Sequence, residues 1–130
     1  MFKIKINSFI AIIASKTVLK LSTILFKGGS NFPGKIALAL DKNILSTVTK
    51  GYKVILVTGT NGKTTTTSMI YNILKKDGKK VFTNNTGANM NTGIVSSFVS
   101  FYKFGKNNEE KFAVIEVDEA YLQIITENIK

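Results

Sequence analysis

Lys63 and Thr64 stand directly behind Gly62 in the run VTGTNGKTTTTS, Val57 to Ser68. Glycine, lysine and then a hydroxyl residue close the phosphate-binding pattern G-x-x-x-x-G-K-[ST]. Gly59 and Gly62 free the backbone to turn the N–H groups of Thr60 and Asn61 inward. With the helix N-terminus behind them, these groups form a nest for an anion. Lys63 adds a point charge for terminal phosphates, and Thr64 offers its hydroxyl to a magnesium ion bridging them. Thr65 belongs to the same helix start, within reach of a further phosphate. The first position of the pattern holds Val57 instead of glycine. A strand–turn–helix whose glycines only turn the chain would explain neither the lysine nor the threonine. The residues therefore predict a nucleotide site built from Gly59, Thr60, Asn61, Gly62, Lys63, Thr64 and Thr65.

A second group of chemistry-bearing residues lies in FAVIEVDEA, apolar until Glu116 and followed by Asp118 and Glu119. Ligands of open α/β sheets bind outside the carboxyl ends of the strands. Glu116 there suits magnesium or a water bound to it. Asp118, two residues on, has two readings: a second acid on the same strand face, or the N-cap of the next helix. The cluster NNTGANMN also has two. Asn84, Asn85, Asn89 and Asn91 are turn formers, yet their loop leaves the strand rim that carries the phosphates, where amides suit a polar or sugar-like substrate.

These groups must be held by regular elements. KVILVT, Lys53 to Thr58, is a β-branched run suited to a strand buried on both faces. A helix from Lys63 to about Lys76, a strand over Lys79–Asn84, a helix from Gly93 to Tyr102, a strand over Phe112–Asp118 and a helix over Glu119–Ile129 follow. Strand and helix alternate, so the fold class is α/β, a P-loop-type parallel sheet with flanking helices. Ahead of it, residues 1–50 form a basic helical segment, with residues 51–130 as the nucleotide-binding part. One helix spans Asn7 to Lys27, the turn formers GGSNFPG interrupt, and a second runs from Pro33 to about Lys50. Three strands make a thin sheet, and the alternation stops within a helix, so a fragment truncated at Lys130 is expected.

Composition narrows the partners. The chain has 130 residues, a formal charge of +10 and neither cysteine nor histidine. A metal here must be a hard cation with oxygen ligands. All 18 basic residues are lysines, and residues 1–57 hold nine of them against one acid, Asp41. Lysine without arginine is a poor basis for base readout, so no nucleic-acid partner is expected. MFKIKINSFIAIIAS has the basic start and short apolar centre of a signal peptide, but Lys16 and Lys20 follow at once and the pattern continues as helix. The longest uncharged run near the N-terminus, Ile6 to Ser15, is too short to span a bilayer. Lys16, Lys20, Thr23 and Lys27 stack on one helical face, with Ile13, Val18, Leu21, Ile24 and Leu25 over much of the rest. Such a helix either docks its apolar side on a core or lies against an anionic membrane surface.

TGTNGKTTT resembles the ATP-binding loop of the Mur ligase superfamily, which shares the non-glycine first position. NNTGANMNTGI (Asn84 to Ile94), AVIEVDEA (Ala113 to Ala120) and the basic helix, FPG and short helix ahead of the loop look most like its MurT-type branch. The resemblance covers nearly the whole chain. It implies ATP and Mg2+ as cofactors, and a ligase that phosphorylates a carboxylate to an acyl phosphate for attack by an amine. For that branch it further implies a GatD-type glutamine amidotransferase partner and lipid II as substrate, whose D-glutamate becomes D-isoglutamine. Lys63 would bind the phosphates, Thr64 and Glu116 would serve magnesium, and Asn85, Gly87 and Asn89 would line the substrate rim. The localisation implied is cytoplasmic, with the inner face of the plasma membrane as the surface the basic helix would meet. The superfamily's zinc ribbon, later magnesium ligands, catalytic aspartate and C-terminal domain have no counterpart here, so this chain is expected to bind ATP without completing amide synthesis. The alternatives are another superfamily ligase, of the folylpolyglutamate or cyanophycin type, and a non-catalytic nucleotide-binding module.

Overall fold

The computed structural model describes residues 4–26, 31–84, 88–105 and 109–129. The strands are β1 (Tyr52–Val57), β2 (Lys80–Thr83) and β3 (Lys111–Glu116). They form one parallel sheet in the order β1-β3-β2. The helices are α1 (Ile6–Phe26), α2 (Phe32–Leu40), α3 (Ile44–Val48), α4 (Lys63–Lys76), α5 (Asn91–Phe101) and α6 (Leu122–Asn128), with a 3-10 turn over Glu119–Tyr121. Parallel strands cannot be joined by hairpins, so each connection crosses over through a helix. α4 carries the chain from β1 past β3 to β2, and α5 brings it back to the middle strand. The architecture is the expected α/β class with flanking helices.

Strand parity assigns the two sheet faces. Tyr52, Val54 and Leu56 of β1, Phe82 of β2 and Ala113 and Ile115 of β3 join a core with Ile94, Val95, Phe98 and Val99 of α5. Phe98 meets Tyr52 and Phe82 edge to face, with ring centroids 5.8 and 5.2 Å apart. Ala11 and Ile12 of α1, Ala37 of α2 and Ile44, Leu45 and Val48 of α3 complete the same core. The other parity, Val114 and Glu116, faces away from that core and towards α4. At the opposite, N-terminal end of the strands, Lys53 pairs with Glu110 and Lys80 with Glu109. Hydrogen bonds from these lysines hold both carboxyls below the usual carboxylate range.

Three boundaries differ from those read in the sequence. The second helix does not run unbroken to Lys50. It stops at Leu40, and Asp41 takes an extended backbone (φ −148°, ψ 104°). The Asp41 carboxylate accepts the Asn43 N–H at 2.9 Å and the Ser8 hydroxyl at 2.5 Å. A short acidic side chain competes with the helix for backbone donors, and here the competition is won. β3 ends at Glu116, before Asp118, and the last helix opens as a 3-10 turn before α6.

A fourth difference, of face and not of boundary, concerns α1. Its inner face is built from Ser8, Ala11, Ile12 and Ser15, all buried. Ile13, Leu21 and Ile24, which one of the two readings placed against a core, are exposed. Lys16 is half-buried and Lys20 exposed on one flank, and Lys27 lies outside the described residues. On the inner face Ile12 joins the core and the Ser8 hydroxyl donates to Asp41.

α2 meets α5 even more tightly, at Gly34. Its N–H, one of the first-turn donors that a helix leaves unpaired, donates to the Ser96 hydroxyl of α5 at 2.7 Å. Ser96→Ala should therefore lower stability by about 1–2 kcal/mol, by removing the acceptor of a buried donor. A urea titration of both chains reads this as a lower midpoint at unchanged slope.

Candidate functional site

β1 delivers the chain to the rim of the sheet. Val57, the residue at the first position of the loop pattern, is still its last strand residue and is buried. Its carbonyl accepts the Val117 N–H at 2.9 Å. The turn proper starts after it, so the valine fills a strand position where a side chain packs, and no glycine is needed. Gly59 (φ 139°) and Gly62 (φ 78°) supply the left-handed backbone that turns the loop into α4. Gly62 is the N-cap of α4, and its carbonyl accepts the Thr66 N–H at 2.9 Å. The N–H groups of Lys63, Thr64 and Thr65 are therefore left without a carbonyl of their own helix. They end the helix with partial positive charge facing the loop.

Side chains converge on the same place. The Lys63 ammonium donates to the Gly59 carbonyl at 2.5 Å, which folds the charge back over the loop. Thr64 donates its hydroxyl to Glu116 Oε2 at 2.9 Å, across 52 residues of sequence. Glu116 is only 8% exposed. Its parity aims it at the first turn of α4, and its β1 partner in the register is Val57. Thr60 donates to Glu119 Oε1 at 3.1 Å, tying the loop to the turn after β3. Asn61 is exposed in the loop. Thr65 is exposed on α4 and lines an open hollow of about 500 Å3 with Thr64, Ser68, Met69, Asn72 and Ile73.

The acids and asparagines separate into distinct jobs. Asp118 caps the 3-10 turn, accepting the Ala120 N–H at 3.0 Å, so the capping reading describes it. Its own N–H donates to the Asn89 carbonyl at 3.0 Å, which fastens the asparagine loop to the end of β3. Asn89 therefore sits next to the acidic rim. Asn85 and Gly87 lie outside the described residues.

Asn84 has a role that its sequence context did not reveal. β2 pairs with β3 only as far as Thr83 opposite Val114. Beyond that point no strand lies beside the β2-facing backbone of Glu116 among the described residues. Asn84 supplies the missing edge: Oδ1 accepts the Glu116 N–H at 2.9 Å and Nδ2 donates to the Glu116 carbonyl at 2.9 Å. The same amide donates to the Ala88 carbonyl at 2.8 Å. An asparagine one residue past a strand that faces a site acid is the signal that could have found it, since only a primary amide offers both a donor and an acceptor in peptide-like geometry.

A hydroxyl and a carboxylate in contact make a hard-oxygen donor set of the kind magnesium prefers. Among the described residues no group of three or more acids, histidines or cysteines could cage a metal. A cation here would take most of its shell from water and phosphate oxygens, which is how magnesium is normally bound.

The family model of the Mur ligase middle domain matches residues 57–127. The chain is 48% identical over 104 residues to the lipid II isoglutaminyl synthase (glutamine-hydrolyzing) subunit MurT of Streptococcus pneumoniae, covering 78% of this chain and 22% of that protein. It is 35% identical over 120 residues to the corresponding subunit of Staphylococcus aureus strain COL, covering 92% of this chain and 26% of that one. A UDP-N-acetylmuramoylalanine–D-glutamate ligase of Syntrophus aciditrophicus is 43% identical over 70 residues, 54% of this chain and 14% of its own. The chain thus spans about a quarter of the length of the MurT relatives it matches. With the loop, the parallel sheet and a family match over more than half of its residues, the chain belongs to the Mur ligase family.

Proposed function

We propose that this chain is the nucleotide-binding part of an ATP-dependent carboxylate–amine ligase of peptidoglycan synthesis, of the lipid II isoglutaminyl synthase type. The observation that carries the reading is the contact between Thr64 and Glu116 beside Lys63, at the N-terminus of α4. A turn-forming loop alone would not bring a strand acid onto the first helical hydroxyl. The MurT relatives support the specific branch, because their matches reach 78% and 92% of the chain while the D-glutamate ligase match stops at 54%. Their names point to lipid II as substrate and to a glutamine-hydrolysing enzyme of which this type is one subunit, so a glutamine amidotransferase is the partner proposed.

When bound, ATP with magnesium supplies the phosphoryl group that activates a carboxylate for attack by ammonia or an amine. The residues of this chain bind and orient. The free N–H groups at Lys63, Thr64 and Thr65 and the loop N–H groups hold phosphate oxygens. Lys63 neutralises charge on the terminal phosphates, exchanging the Gly59 carbonyl for them. Thr64 and Glu116 hold the cation, and Gly59, Thr60, Asn61 and Gly62 shape the loop. Asn89, with Asn85 and Gly87 of the same segment, is assigned to the substrate rim. Residues 1–50 are assigned as the basic helical segment that precedes the nucleotide-binding part, 51–130.

Titration with ATP and magnesium tests the reading. Lys63→Ala should raise the Kd at least about tenfold, roughly 1.4 kcal/mol of lost phosphate binding. Equal affinity in the two chains would remove Lys63 from the site and sink the proposal.

A further inference from the structure

The outward side of α1 is richer in apolar residues than the side that is buried. Successive residues of a helix step around its axis by 100°, so the residues opposite Ser8, Ala11, Ile12 and Ser15 are Ile6, Ile10, Ile13, Thr17, Leu21 and Ile24. All six are exposed, Ile6 at 76% and Ile24 at 78%. They run for about 27 Å along one helix, at 1.5 Å per residue. An exposed stripe of this length, apolar at five of its six positions, calls for a cover.

The flank of the stripe identifies the cover. Lys16 and Lys20 border it, and Lys103 acts electrostatically on Lys16 from the segment after α5. Burial, then Lys20 and Lys103, lower the pKa of Lys16, as expected where cations crowd a partly dry surface. Phe9 of α1 meets Phe104 on the same flank at a tilt of 58°, with ring centroids 5.3 Å apart, and both are exposed. No acid precedes Asp41, whose carboxylate is engaged with Ser8 and the Asn43 N–H. Isoleucines in the middle with lysines and aromatic rings at the edge match the layering of an acyl region beneath anionic headgroups. A second copy of this chain fits worse, because two such faces, each flanked by Lys16, Lys20 and Lys103, would repel.

We propose that the outer face of α1 is a membrane-docking surface, which lays the Ile6–Ile24 stripe into the interface of an anionic bilayer with Lys16, Lys20 and Lys103 at headgroup level. Among the described residues no helix is long and apolar enough to cross a membrane, so α1 lies on the surface. The stripe lies on the helix side turned away from the core, so docking leaves the nucleotide loop and the α2–α5 contact intact. The proposal stands independently of the nucleotide reading.

The test is co-sedimentation of the full chain with vesicles of phosphatidylcholine alone, and of phosphatidylcholine with about 30% phosphatidylglycerol. The chain should pellet with the anionic vesicles at least about tenfold more than with the neutral ones, and raised salt should reverse this. Ile10→Glu with Ile24→Glu should abolish binding while leaving the thermal melt unchanged, since both sites are solvent-exposed. The chain has no cysteine, so Ile24→Cys and Gln123→Cys each carry one environment-sensitive dye at a chosen place. A blue shift on anionic vesicles at position 24 and none at position 123 confirms the docked face without relying on the glutamate variant. Pelleting no greater than without vesicles, or unchanged by the glutamate substitutions, overturns the proposal. So does a dimer in sedimentation equilibrium that those substitutions dissociate, because the cover would then be a second copy.

Discussion

Asn84→Ala is expected to cost the fold about 3 kcal/mol and to weaken magnesium-dependent ATP binding with it. The cost follows from what the amide replaces. One side chain serves both backbone groups of Glu116 on the side where β2 has already ended, and it is itself buried. Alanine leaves a buried N–H and a buried C=O without those partners, at about 1–3 kcal/mol each, and also frees the Ala88 carbonyl from its contact. The functional loss follows because Glu116 meets Thr64 only while its backbone is held at that height against α4. Asn84→Asp separates the two halves of the role. It keeps the acceptor for the Glu116 N–H but sets a buried, charged oxygen against the Glu116 and Ala88 carbonyls, so its stability should fall to that of alanine or below. Chemical denaturation measures the first effect, and ATP titration with and without magnesium measures the second. An alanine variant that melts like wild type would show that solvent or a neighbouring donor substitutes for the amide.

Gly34→Ala is the other substitution with a large expected effect, and its sign is a contest. Inside a helix, alanine is favoured over glycine by about 1 kcal/mol. Against this, a Cβ at position 34 would sit 1.9 Å from the Thr92 carbonyl oxygen and 2.8 Å from the Ser96 hydroxyl oxygen. The first of these is backbone and cannot rotate aside, so α2 must lift off α5. That separates core residues on both helices, including Ala37 from Ile94 and Val95, and breaks the Gly34–Ser96 hydrogen bond. Overpacking of this kind outweighs propensity, and a net loss of about 3 kcal/mol is expected. A fall of about 10 °C in the melting temperature would report it. A double variant with Ser96→Gly should recover little, because the Thr92 carbonyl remains. An unchanged or raised midpoint would mean that the two helices tolerate greater separation than their packing implies.

Both substitutions act on features that sequence patterns do not record. The candidate nucleotide loop was readable because its residues are consecutive: seven of them, Gly59 to Thr65, carry the turn, the charge and the hydroxyl within one strand-to-helix connection. The α/β alternation was readable for a similar reason, since both strands leave β-branched runs between helical ones, but only the central strand Lys111–Glu116 is largely buried. Tyr52–Val57, expected to be buried on both faces, is an edge strand of which only Val57 is buried. Glu116 could be singled out by position alone, as the first acid at the end of an apolar strand.

The outward side of α1 could not be read in the same way. The outer side of α1 is its more apolar one, and periodicity would give that side to the core. The core took the side of Ser8, Ala11, Ile12 and Ser15, where Ile12 joins the buried cluster and the Ser8 hydroxyl meets Asp41. The break at Asp41 escaped for a related reason. Its carboxylate is drawn out of the helix partly by Ser8, 33 residues earlier, a partner that only the packed α1 provides. By itself, then, the sequence determined the class of fold, the anion-binding loop and the acid that faces it, because each is written in neighbouring residues or in a repeating period. The tertiary structure decided that Thr64 touches Glu116, that Asn84 stands in for an absent strand, that Gly34 admits no side chain and that α1 turns its isoleucines outward. Those are contacts between residues far apart in the chain, and their existence depends on distances that only packing sets.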